Sequence, residues 1–256
     1  MVSESVLFNI EEHVGTITLN RPERRNALNF EMRERLARGL DDFAANTEVR
    51  IVVLEGSPPS FCAGVDLSET PPSRGHVLAD TPVSVSAPFA AFPKPLFASV
   101  NGAAAGGGFE IALACDFIIA STSAKFLLPE VRIASIPGGG GTQRLVRAIP
   151  LGVAARLLYT GDAIDADSAL AFGLVTELVE PDALYDRSIE LARQISQNAP
   201  LSLAAIKQCL KAAANSPLDV GLAVERGLWG QLLSSEDRAE GRAAFREGRS
   251  PKFKGK

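Results

Sequence analysis

Histidine is almost absent from the chain: His13 and His76 are the two in 256 residues. A histidine-built zinc site needs several imidazoles and a Ser-His-Asp triad needs one beside a nucleophile, so neither chemistry is supported and no metal is expected. Both histidines are expected as surface or strand residues. Cysteine is scarce too, with Cys62, Cys115 and Cys209 widely spaced, odd in number and without a Cys-x-x-Cys pattern. That pattern suits ordinary buried thiols in a reducing compartment better than a disulfide framework. No apolar run reaches the about 18 residues that a bilayer-crossing helix needs. The N-terminal Met1-Val-Ser-Glu-Ser-Val-Leu-Phe-Asn9 lacks the basic and long apolar regions of a secretory signal. The expected location is cytoplasmic, with no membrane partner. Basic charge is not in excess either: 26 Lys and Arg stand against 30 Asp and Glu, a formal charge of −4. Together with the absence of interleaved aromatic and basic residues, this gives no reason to expect a nucleic-acid partner.

What the sequence does have is glycine in clusters. The most informative stretch is Asn101-Gly-Ala-Ala-Ala-Gly106-Gly-Gly-Phe-Glu110-Ile-Ala-Leu-Ala-Cys-Asp116. An apolar run, Pro95-Leu-Phe-Ala-Ser-Val100, leads into it, so the pattern reads as strand, glycine turn and buried helix. Consecutive glycines remove every Cβ, so a ligand can lie against N–H groups left unpaired at a helix start. Such a turn suits a phosphate or a developing oxyanion. A P-loop would follow it with Gly-Lys-Ser/Thr, whereas Gly108-Phe109-Glu110 supplies a carboxylate that repels anions. No dinucleotide-type Gly-x-Gly-x-x-Gly spacing is present there either.

Along the chain, Val6 to Glu12 and Val14 to Asn20 read as a hairpin turning at His13-Val14-Gly15. From Asn29 a capped amphipathic helix carries Met32, Leu36, Leu40 and Phe43, ending near Asn46. Arg50 to Glu55 is a short buried strand, Phe117 to Ala120 another, and Lys125 to Leu128 an extended piece. The proline-rich segment Ser68 to Pro93 is too long for a plain connection and is expected to be a mobile or partly helical cover over a site. A second glycine cluster, Pro137-Gly-Gly-Gly-Gly141, precedes a helix starting near Thr142. Beyond residue 150 the pattern is helical except at Leu174 to Val179. A composition change after Asn198-Ala-Pro200 marks a boundary between a core, residues 1–198, and a C-terminal helical region, residues 199–256. Repeated strand, strand, helix with glycine turns fits a spiral or layered α/β fold, and pattern alone does not separate that from a doubly wound sheet.

These residues resemble the crotonase (enoyl-CoA hydratase/isomerase) superfamily. The matching pieces are Leu19-Asn-Arg-Pro22 with Asn26-Ala-Leu28, Phe61-Cys-Ala-Gly-Val-Asp66, Asn101 through Glu110, Pro129-Glu130-Val131, Ile136 through Leu145, Tyr159-Thr-Gly161, Phe172-Gly-Leu-Val175, and Glu240 through Phe245 with Pro251. They keep the family's order over nearly the whole chain. The resemblance implies an α/β, crotonase-type spiral of ββα turns with a C-terminal helical region that serves trimerisation and covers the active site. It implies a homotrimer or a hexamer built as a dimer of trimers. It also implies acyl-CoA thioester substrates and no cofactor, coenzyme A being part of the substrate.

By the same resemblance, the backbone N–H groups of Val65 and Gly107 form an oxyanion hole for the thioester oxygen. Donors aimed at such an oxygen are worth about 3 kcal/mol each to a transition state. Val65 departs from the more usual alanine, which keeps the N–H but adds bulk beside the acyl chain. Glu110 and Glu130 stand at the two acid positions of the hydratase branch, where Glu110 would activate water and Glu130 would protonate the α-carbon. Taken alone, each also suits the positive end of a helix dipole. Isomerases usually keep one of the pair, so two glutamates point to an enoyl-CoA hydratase, with a Δ3,Δ2-enoyl-CoA isomerase or a non-catalytic acyl-CoA-binding relative as alternatives. For the coenzyme A portion the resemblance implies Arg25, Ala27, Ala63, Asp66 and Leu67, with Lys252 of the basic tail approaching the phosphates of a bound or neighbouring ligand.

Overall fold

A computed structural model describes residues 4–69 and 84–256. Its strands run Val6–Glu11 (β1), Val14–Leu19 (β2), Ile51–Gly56 (β3), Leu96–Val100 (β4), Ala103–Ala105 (β5), Phe117–Ser121 (β6), Lys125–Leu127 (β7), Ile164–Asp165 (β8) and Glu177–Val179 (β9). Its α-helices are Phe30–Ala45 (α1), Ala87–Ala91 (α2), Gly107–Ala112 (α3), Gly141–Ala148 (α4), Leu151–Thr160 (α5), Ala166–Ala171 (α6), Leu184–Ser196 (α7), Pro200–Asn215 (α8), Leu218–Leu232 (α9) and Glu236–Glu247 (α10). The strands form two sheets rather than one doubly wound sheet. The larger has the order β1-β2-β3-β4-β6-β9, the smaller β5-β7-β8. From β2 onward every neighbour in the larger sheet is parallel.

Parallel strands need helices on both faces, and the period of two along β3 shows how that need is met. Ile51 and Val53 join Val14, Phe97 and Ile119 on the face packed against Leu184 and Ala192 of α7. Val52 and Leu54 join Ile17, Leu19, Ala98 and Val100 on the opposite face, together with Met32, Leu36 and Leu40 of α1. Each such aliphatic side chain, fully buried, contributes about 1.5–3 kcal/mol. The α1 helix starts where its cap directs: Asn29 Oδ1 accepts the Met32 N–H at 2.9 Å.

Three sequence expectations shift. The β1–β2 hairpin turns at Glu12 and His13, both at positive φ (49° and 69°), and Val14 and Gly15 already belong to β2. Two residues at positive φ match the strand twist, which is why the turn is this tight. The strand expected from Leu174 is only Glu177–Val179, because Leu174 and Val175 turn back to the Ala169 carbonyl and bonding to β6 starts at Thr176, whose N–H donates to the Ile118 carbonyl. Of the expected cover, residues 70–83 lie outside the described residues, and its last part forms α2 with Phe89 buried. Among the described residues no helix is long and apolar enough to cross a membrane.

Helix α8 is fastened to the spiral by an almost buried lysine. Lys207 Nζ lies 3.0 Å from Asp116 Oδ2 and donates to the Lys94 carbonyl at 2.8 Å. Asp116 in turn accepts the Leu96 N–H at 2.8 Å, at the start of β4. Lys94 Nζ donates onward to the Phe43 and Asn46 carbonyls at the end of α1. Lys207→Met removes one partner and leaves a carboxylate that still reaches some water, so a loss of about 1–3 kcal/mol is expected in urea unfolding. An unchanged midpoint would show that the clamp contributes nothing.

Candidate active site

The parallel strands β2, β3 and β4 end on one edge of the sheet, so the loops that leave them lie side by side. Backbone hydrogen bonds stitch those loops together. Leu28 N–H donates to the Gly64 carbonyl (2.7 Å) and the Leu28 carbonyl accepts Asp66 N–H (3.1 Å). Cys62 N–H donates to the Ala103 carbonyl (3.0 Å) and the Cys62 carbonyl accepts Ala105 N–H (2.9 Å). Asn26, fully buried at φ 57°, adds a side-chain knot. Its Nδ2 donates to the Ser57 and Ser60 carbonyls at 2.8 and 2.7 Å, and its Oδ1 accepts Arg21 N–H at 2.8 Å.

Two neighbouring amides stay out of this stitching among the described residues. Leu28 pairs with residues 64 and 66, and successive N–H groups in extended chain alternate sides, so Val65 N–H faces away from that ladder. Gly107 opens α3 and owns one of the unpaired N–H groups of a helix start. Among the described residues neither N–H is bonded within the protein. The two are neighbours: a Cβ on Gly64 would lie 3.3 Å from the Gly107 nitrogen, and one on Gly107 would lie 3.6 Å from the Val65 nitrogen.

Val65, Gly107, Glu110 and Glu130 all line one cavity of about 600 Å³. Glu110 sits in α3 and is 3% exposed. Its Oε1 accepts the Gly141 N–H at 2.8 Å, at the start of α4. Glu130 sits in a 3-10 turn, Pro129–Ile133, that ends at Ala134 with φ 57°. Its Oε1 comes to within 3.1 Å of where a Gly106 Cβ would be. Its Oε2 is buried with no hydrogen-bond partner among the described residues. Burial pushes the Glu130 carboxyl above the usual carboxylate range, and the charge of Glu110 adds to the effect.

The residues expected to hold coenzyme A divide. Ala63 and Leu67 line the cavity, Leu67 being 74% exposed. Arg25, Ala27 and Asp66 stand on the same stitched loops but outside the cavity wall among the described residues. Arg25 is exposed, and its carbonyl accepts Ala63 N–H at 2.9 Å. The Ala27 carbonyl accepts from Arg21 Nη1 at 2.6 Å. Asp66 bonds Ser68 and Arg21, and Ser68 chiefly holds its carboxyl below the usual range. Lys252 lies elsewhere, in a groove with His13 and Arg193. Sequence reasoning missed Gly141 as the donor to Glu110, and missed Arg33 and Arg132 in the cavity wall, each facing an acid (Glu69 at 3.6 Å, Asp162 at 2.6 Å). The second glycine cluster was the available signal for the first. The arginines carried none, because surface arginines are common on any helix or turn.

The spiral of ββα turns with a carboxylate-lined cavity beside unpaired amides is the crotonase fold. A family model described as enoyl-CoA hydratase/isomerase matches residues 9–256. The chain is 43% identical over 254 residues to a (E)-benzylidenesuccinyl-CoA hydratase of Thauera aromatica, covering 98% of this chain and 99% of that one. It is 39% identical over 252 residues to a 2,3-dehydroadipyl-CoA hydratase of Escherichia coli K12, covering 98% and 99%. A crystal structure of an enoyl-CoA hydratase from Bacillus anthracis superposes with a TM-score of 0.93 at 36% identity, covering 99% of this chain and 100% of that one. The chain belongs to the enoyl-CoA hydratase/isomerase family.

The environment of Glu130 makes a stability prediction. Its folded-state pKa is raised, so the stability it contributes is full below the unfolded carboxyl value and is lost as pH rises through the folded value. Glu130→Gln cannot ionise. Its melting temperature relative to wild type is therefore expected to climb from acid pH toward neutrality; a difference that is flat or falls with pH would contradict the burial argument.

Proposed function

We propose that the protein is an enoyl-CoA hydratase, adding water reversibly and syn across the double bond of a 2-enoyl-CoA to give a 3-hydroxyacyl-CoA. One observation carries the proposal: two glutamates line the same cavity as two neighbouring unpaired amides. Glu110, ionised, takes a proton from water while the water oxygen bonds the β-carbon. The π electrons move toward the thioester, and the enolate oxygen is held by the Val65 and Gly107 N–H groups. Glu130 delivers its proton to the α-carbon, and exchange with bulk water, in which Glu110 loses a proton and Glu130 gains one, returns both carboxyls to their starting states. Two features of the cavity support this division. Burial favours the protonated form of Glu130, and the Gly141 N–H fixes one oxygen of Glu110 and leaves the other for water.

The hydratase names of several relatives point the same way. Coenzyme A would run over the loop holding Arg25 and Ala27 and the loop holding Ala63, Asp66 and Leu67. Tyr159, Leu218 and Trp229 are exposed at 79%, 78% and 59%, which supports a homotrimer or hexamer in solution.

Wild-type protein is expected to remove the conjugated-thioester absorbance of a 2-enoyl-CoA. Creation of that absorbance from a 3-enoyl-CoA, without hydration, would make it an isomerase instead. Tight acyl-CoA binding with no turnover would make it a binding protein. Glu110→Gln and Glu130→Gln are each expected to lower hydration by about 10²–10⁴-fold while acyl-CoA still binds; near-normal turnover removes that residue from the mechanism. Sedimentation at the chain mass alone would remove the oligomer from the proposal.

A further inference from the structure

The second glycine cluster separates Glu110 from an arginine. Gly139 packs against the carboxylate so closely that a Cβ there would lie 2.8 Å from Glu110 Cδ. On the other side, Arg144 Nη1 donates to the Gly139 carbonyl at 2.8 Å and to Ser86 Oγ at 3.0 Å. Ser86, fully buried just before α2, also donates to the Gly139 carbonyl. Gly140 takes φ 101°, a conformation that suits glycine, and a Cβ there would collide with the guanidinium. The strip therefore offers a carbonyl to Arg144 at Gly139 and an N–H to Glu110 at Gly141.

The placement of Arg144 is unfavourable locally. It lies in the first turn of α4, where the helix dipole disfavours a cation by about 0.3–1 kcal/mol. It is half-buried, and burial lowers its pKa while the charge of Glu110 acts in the opposite sense. An uncharged residue at this position would meet neither cost.

We infer that Arg144 is a positioning residue for Glu110, holding the Gly139–Gly141 strip between α2 and the carboxylate so that the Gly141 N–H stays aimed at Glu110 Oε1. This inference rests on the hydratase reading for its effect on rate, but not for its effect on the strip. Arg144 is not itself a lining residue of the cavity among the described residues and meets its wall from behind, at the Gly139 carbonyl. Its removal should change how Glu110 is held and leave acyl-CoA binding alone.

Arg144→Met is expected to speed native-state hydrogen exchange at the Gly141 amide by about tenfold or more, because that bond no longer has a fixed donor. In steady state kcat should fall by about 100-fold with KM within about twofold, the pattern of a misplaced catalytic group rather than a lost contact to substrate. Arg144→Lys, which can still reach one carbonyl, should recover most of both effects. Ser86→Ala, which keeps the guanidinium on the Gly139 carbonyl, should give a smaller change in both. Unchanged Gly141 exchange in Arg144→Met overturns the inference whatever the activity, as does a loss expressed in KM with kcat intact. If Arg144→Met does not fold, Gly141 exchange in Arg144→Lys and Ser86→Ala decides, and wild-type exchange in both overturns it. Wild-type protein that hydrates no enoyl-CoA overturns the hydratase reading alone, and the exchange measurement still decides the role of Arg144.

Discussion

Parallel alignment of β2, β3, β4 and β6 is the constraint on which the rest depends. Strands that run the same way must be joined by crossovers, and both faces of the sheet are then taken up by helices, with α1 on one and α7 on the other. The edge beyond the strand ends is left open. Leu19 pairs with Gly56 and Val100 with Ala120, so these strands end nearly level and their loops start side by side. Ligands of open α/β sheets bind at such an edge for this reason. Here the Leu28–Val65 and Cys62–Ala104 bridges fuse the loops into one wall. Among the described residues the amides of Val65 and Gly107 are two neighbouring donors of that wall that no protein group takes up.

The two glutamates are the same residue in unlike surroundings. Glu110 reaches its place from a helix and is met by a backbone N–H; Glu130 comes from a 3-10 turn and keeps a buried oxygen without a partner among the described residues. Environments that differ in this way are how a protein makes an acid of one carboxyl and a base of another. Proximity adds to the effect, since ionising one of a close pair makes ionising the other harder. The asymmetry therefore follows from the fold and not from residue type.

What could be read in the sequence was what depends on near neighbours. Asn29 with Met32, Leu36 and Leu40 announces α1, and the continuous apolar runs announce β3 and β4. What could not be read depends on partners far along the chain. Ala103–Ala105 has little strand propensity and becomes β5 because Lys125–Leu127 pairs with it. Ile164–Asp165 is two residues long and exists as a strand only against β7. In the site, Glu110 and Glu130 were legible through the family's motifs. Chemistry alone gave each a bland role at a helix start. Arg21, whose guanidinium ties Ala27 to Asp66, stood in the same loop as Arg25 with nothing local to tell them apart.

Both glycine clusters look alike in sequence, yet they clear space for different things. At Gly106 and Gly107 the missing side chains open the backbone to the cavity, where a ligand can approach an N–H, while Gly108 packs against Cys62. At Gly139 to Gly141 they let protein approach protein, with Glu110 pressed on one side and Arg144 on the other. The first arrangement serves whatever enters the cavity and can only be judged with a ligand in mind. The second is complete in the resting chain, because every group it accommodates is already present. A glycine run before a helix therefore signals close approach without saying what approaches. Only the side chains that the fold delivers to each face decide whether the run makes room for a ligand or for another part of the protein.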